Sequence, residues 1–97
     1  MKENEVFELY EGLKLSAKKE PTAQDLIDLR ELGIDLMHDG DYARTVLKCF
    51  LNMDEMKKLV TIIFEGNIPE VIESKIKAPV IEAALKSFFG KFGLHFG

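Results

Sequence analysis

Asp54-Glu-Met-Lys-Lys-Leu-Val-Thr-Ile-Ile-Phe-Glu-Gly66 and Ala78-Pro-Val-Ile-Glu-Ala-Ala-Leu-Lys-Ser-Phe-Phe89, with the link 67–77 between them, form the stretch from which the fold is read. Met56, Leu59, Val60 and Ile63 fall at i, i+3, i+4 and i+7 and share one helical face, while Lys57, Lys58, Thr61 and Glu65 lie mostly opposite. Asp54 is the expected N-cap and Gly66 the expected stop. Proline suits a first helical turn because its φ is fixed and it has no N–H to leave unpaired. A second helix is therefore expected to open at Pro69, carrying Val71, Ile72 and Ile76. A third is expected to open at Pro79 and to bury Ile81, Ala84, Leu85 and Phe88.

The remaining chain is read outward from this stretch. From Glu3 to about Lys19, Val6, Leu9, Tyr10 and Leu13 stand at helical spacing, with acids early and lysines late as the helix dipole favours; Gly12 weakens the middle. Pro21 ends that unit, and Thr22 with Asp25 three residues on resembles a capping box. Leu26, Leu29, Gly33, Leu36 and Met37 then mark a helix of about four turns, kinked at Gly33. His38-Asp-Gly-Asp41 reads as a turn, Tyr42–Leu51 as a helix with Ala43, Val46, Leu47 and Phe50 inward, and Asn52-Met-Asp54 as a break. Strand-like alternation is seen only in Lys91-Phe-Gly-Leu-His-Phe96.

The fold class read from these patterns is all-α, a small orthogonal bundle of five or six short helices. One helical domain is expected over 1–89, with a flexible aromatic and glycine-rich tail at 90–97 that is dispensable for folding. The expected core is Leu26, Leu29, Val46, Leu47, Phe50, Leu59, Ile63, Ile72, Ile81, Leu85 and Phe88.

At 97 residues, 46% hydrophobic and 31% charged, the chain has the composition of one small globular domain. Its net charge of −4 and scattered lysines disfavour nucleic acid and anionic membranes as partners. The single cysteine, Cys49, fits a reducing compartment, and no apolar run approaches the about 18 residues of a membrane span. A cytoplasmic protein that self-associates is expected.

Catalytic and metal chemistry find little to stand on. His38 with Asp35, Asp39 and Asp41 lacks the converging third and fourth ligands of a zinc site and the oxygen ladder of a calcium loop. Ser16, Ser74 and Ser87 lie in no nucleophile elbow, and no glycine-rich loop carries a phosphate-binding lysine. No enzyme activity, cofactor or metal is expected. Two interaction surfaces remain. Phe89, Phe92, Leu94 and Phe96 form an apolar ending that either seals the core or binds a partner. Asp28, Glu31, Asp35 and Asp39 recur along one helix side, as a solvated face or a surface for a basic protein.

The order in the second half is a helix closed by Gly66, an Ile68-Pro-Glu-Val71 link, a helix opened by Ala78-Pro79, and Leu85-Lys-Ser-Phe-Phe89 before a glycine-containing end. Over about residues 42–92 this resembles the small tail assembly chaperones of long-tailed bacteriophages and prophages. The resemblance implies a non-enzymatic protein that covers the apolar tape measure protein during tail assembly in the host cytoplasm. It also implies a longer frameshifted product, for which Ser87-Phe88-Phe89 can encode a slippery run. The binding residues named above come from this sequence and not from the family. An alternative from another class is a small acidic phage-type regulator or inhibitor that occupies a basic protein surface through Asp28, Glu31, Asp35 and Asp39.

Overall fold

The computed structural model describes residues 5–34 and 42–93. They form β1 (Val6–Tyr10), β2 (Leu13–Ala17), α1 (Ala23–Leu32), α2 (Tyr42–Leu51), α3 (Met53–Ile63), β3 (Phe64–Glu65) and α4 (Ala78–Gly90). The strands make one antiparallel sheet of order β1-β2-β3. The protein is therefore mixed α and β. The all-α bundle of five or six helices is wrong, and its first helix is a hairpin.

The hairpin has a local cause. In β2, Leu13, Leu15 and Ala17 are buried while Lys14 is exposed and Ser16 half-exposed, the period-2 alternation of a strand with one wet face. In β1, Glu8 pairs with Lys14 and Tyr10 with Leu13, so Leu9 is the extra residue of a bulge. The bulge puts two adjacent residues, Leu9 and Tyr10, into the core. Leu9, Tyr10 and Leu13 thus stand at i, i+1 and i+4, a spacing that imitates a helix. Glu11 and Gly12 make the two-residue turn, and Gly12 takes φ +95°, which a side chain would resist.

The sheet's buried face packs on α3 and α4. Phe64 leaves α3 directly into β3, where Ala17 pairs with Phe64 and Ser16 with Glu65. Lys18 N–H donates to the Ile63 carbonyl at 3.2 Å and extends this link. Met56, Leu59, Val60 and Ile63 of α3 and Ile81, Ala84, Leu85 and Phe88 of α4 are buried at the spacings read from the sequence. The α3 N-cap is Asn52 instead of Asp54: its side chain accepts from the N–H groups of Asp54 and Glu55.

The helix expected at Pro69 does not form. Between Pro69 and Pro79 too few residues remain to offset helix nucleation, and the segment instead runs irregularly across the hairpin. Ile72 and Ile76 are buried and Val71 is exposed. Glu73 N–H reaches the Tyr10 hydroxyl at 3.5 Å, and Lys77 N–H donates to the carbonyl of the bulge residue Leu9 at 2.9 Å. The start of α4 is therefore tied to the irregularity in β1.

Helix α1 ends at Leu32, short of Met37. Gly33 takes φ +112° as its C-cap, and Ile34 N–H returns to the Leu29 carbonyl at 2.8 Å. Gly33 thus stops the helix where a kink was expected. Leu36, Met37 and the turn expected at 38–41 lie outside the described residues. Helix α2 covers Tyr42–Leu51 as read, with Cys49 buried and Val46 and Phe50 half-buried, but Leu47 points outward and leaves the expected core. No helix among the described residues is long and apolar enough to cross a membrane.

Candidate protein-binding surface

Asp25 is the one buried charged residue among those described, at 8% exposure. Its carboxylate accepts from Lys18 Nζ at 2.9 Å and from Thr22 N–H at 2.8 Å, completing a capping box that pins α1 to the end of β2. Burial pushes this carboxyl up, but the Lys18 hydrogen bond, the Thr22 backbone N–H and the Lys18 charge together outweigh it and hold the group below its ordinary value. Every one of its partners is structural. Cys49 is likewise inert: burial pushes its thiol up, and Glu55 adds to this against the smaller pull of Lys48. Among the described residues no three His, Cys, Asp or Glu side chains converge to hold a metal. His38, Asp35, Asp39 and Asp41 lie outside the described residues.

The surface with the most open chemistry among the described residues lies over α1, α2 and α3. An open groove of about 650 Å³ runs between α1 and α3, with Leu32 and Ile62 as its apolar lining. Asp28, Glu31, Asp54 and Glu55 line it with carboxylates, against Lys57 and Lys58. Lys58 lies 3.7 Å from Glu55, and Gln24 donates to Asp28 at 2.9 Å. Glu31 and Asp54 have no ion pair among the described residues. A second hollow of about 420 Å³ shares Glu31, Leu32 and Glu55 with the first and adds Thr45, Lys48 and Leu51 of α2. The two hollows adjoin at these shared residues.

At their α2 border stands an exposed helix face. Arg44, Leu47, Lys48 and Leu51 fall at i, i+3, i+4 and i+7, and all four are exposed. Leu47 is 63% and Leu51 88% accessible. Two adjacent leucines in water on one helix face are apolar area with no partner among the described residues. Helix α2 contains no acidic residue, and its Lys48 lines the second hollow together with Glu31 and Glu55.

The residues proposed from sequence are placed unevenly. Phe89 is fully buried, its ring edge-on to Phe88 at 5.7 Å, and belongs to the core. Phe92 is half-buried and packs on Phe88 at 5.5 Å from a turn that continues α4. Lys91 Nζ also donates to the Lys18 carbonyl, so the chain stays docked through these residues. Leu94 and Phe96 lie outside the described residues. Asp28 and Glu31 do meet in one groove, and Asp35 and Asp39 lie outside the described residues. Sequence reasoning missed Leu47 and Leu51 as surface residues. The available signal was excess: Val46, Leu47, Cys49, Phe50 and Leu51 are more apolar residues than one face of a peripheral helix can bury.

No family model matches this chain, and neither a curated protein nor a solved structure matches it.

Proposed function

We propose that this protein acts by binding another protein through the α1–α2–α3 surface, as a non-enzymatic assembly factor, and that its partner is a tape measure protein of a phage-type tail. The observation that carries the binding reading is the exposed Leu47–Leu51 pair beside an acid-lined groove. Such a surface suits an amphipathic helix, which covers the leucines and places its own charges on the rim. The tape measure assignment is supported by the resemblance over residues 42–92 alone. The β-hairpin lies outside that span.

The test is to look beside this gene for a long tape measure protein and to co-express the two. The expected result is a soluble complex that Leu47→Ser combined with Leu51→Ser abolishes while thermal melting is unchanged. A tape measure protein that stays insoluble and unbound, or a locus without one, overturns the assignment. The acidic-regulator reading retains one supporting observation, the convergence of Asp28 and Glu31 on the groove. Its signature is binding to a basic protein that falls steeply with ionic strength, whereas burial of Leu47 and Leu51 resists salt.

A further inference from the structure

We infer that α1 is a hinged flap on the α3 side of the groove, latched by the Lys18–Asp25 pair, and that opening this latch admits the partner helix. The inference rests on the protein-binding reading of that surface and concerns its regulation. Helix α1 forms one wall of the groove through Asp28, Glu31 and Leu32, and α3 forms the other. The two walls are held very unequally. Helix α3 buries Met56, Leu59, Val60, Ile62 and Ile63, whereas α1 buries one apolar side chain, Leu29, and one charge, Asp25. Leu26 and Leu32 of α1 are only half-buried. Apolar burial is what keeps a short helix on a domain, so α1 is the less secure wall.

Its two ends are fastened differently. At the C-terminal end Ile34 is 1% exposed and the Thr45 hydroxyl donates to the Gly33 carbonyl at 3.0 Å, which ties this end to α2. Gly33, at φ +112°, stands between the helix and that anchor and is the hinge. At the N-terminal end the Thr22–Asp25 box is internal to α1, and the tie to the rest of the fold is the 2.9 Å contact of Lys18 Nζ with Asp25. Water already reaches both side chains of this pair, which are 22% and 12% exposed. A swing about Gly33 carries Asp25 outward into water, so the pair parts without leaving a charge in the core. The same swing uncovers Leu29, Leu32 and Ile62 together and turns the groove into an apolar seat beside Leu51.

Native-state amide exchange of the unbound full chain in low, increasing urea tests this. The amides of Leu26 to Leu32 should exchange faster than the slowest amides of α3 and α4 and with little urea dependence, because the opening exposes little surface. Asp25→Asn should raise α1 exchange about tenfold. Ile81→Val lies in α4, in the part of the core that stays folded, so it should speed the slowest α3 and α4 amides about fivefold and leave α1 unchanged. In equal co-expression with a tape measure protein, Asp25→Asn should capture about tenfold more of it than wild type, since a site open for a larger fraction of the time binds more tightly in proportion. Exchange of α1 with the urea dependence of α3, or an Ile81→Val change that speeds all helices alike, overturns the flap. Capture no greater by Asp25→Asn than by wild type overturns its part in admitting a partner. A tape measure protein bound by neither chain overturns the proposed function, while the exchange measurements, made without a partner, decide the flap by themselves.

Discussion

At the scale of single residues, Asp25 and Gly33 govern how α1 is held. The folded Asp25 carboxyl titrates below its ordinary value, so its stabilising effect is complete above the unfolded carboxyl's pKa of about 3.9 and is lost as pH falls through the folded value. Melting followed by circular dichroism should therefore drop on acidification below about pH 4, and Asp25→Asn should flatten that drop. The same substitution should cost about 1–2 kcal/mol at pH 7, because the capping box and the Lys18 pair are both weakened. Gly33→Ala should cost about 1–2 kcal/mol for its left-handed backbone, and its Cβ would stand 3.1 Å from Thr45, whose hydroxyl donates to the Gly33 carbonyl. Gly90→Ala is the control. Gly90 is helical with open space around it, so that change should leave the melting temperature unchanged or slightly higher.

Among elements, α3, α4 and the hairpin carry the core between them. Leu85 is fully buried in the core, so Leu85→Ala should cost about 2–5 kcal/mol in urea unfolding, a large share of what a small domain has. Phe92 is half-buried on Phe88, and Phe92→Ala should cost about 1–2 kcal/mol, less than a full core truncation. A tail that could be removed from residue 90 without cost would leave this value near zero. The hairpin should show slow amide exchange at Leu15 and Ala17 of the central strand, and a contact between the cross-strand partners Phe7 and Leu15 that a helix from Glu3 to about Lys19 would not give.

For the whole molecule, the sheet makes the N-terminal segment indispensable. Leu9, Tyr10, Leu13, Leu15 and Ala17 form one wall of the core, and the 67–77 segment, α3 and α4 all close on it. A fragment beginning at Ala23 should therefore show no cooperative thermal transition, although it retains α1 to α4. Residues 42–92, over which the chain resembles tail assembly chaperones, are for the same reason not an independent folding unit. A cooperative melt of either fragment would contradict this account.

The sequence by itself determined the elements whose signals are local. The Thr22–Asp25 box, the apolar face of α3 and the proline start and buried face of α4 are each written within a few turns of chain, and each is found where it was read. The tertiary structure alone decided the rest. Leu9, Tyr10 and Leu13 satisfy a helical spacing and a bulged strand equally, and pairing with β2 makes the choice. That pairing is non-local, as is the two-residue β3, whose partner lies nearly fifty residues away at Ala17. Ile72 and Ile76 are buried without a helix because the hairpin offers Leu9 and Tyr10 as hydrogen-bond partners across the chain. The exposed face of α2 was hidden for the same physical reason. Periodicity shows that a helix has apolar residues on two sides, and only the position of α3 decides which side is covered and which is left for a partner.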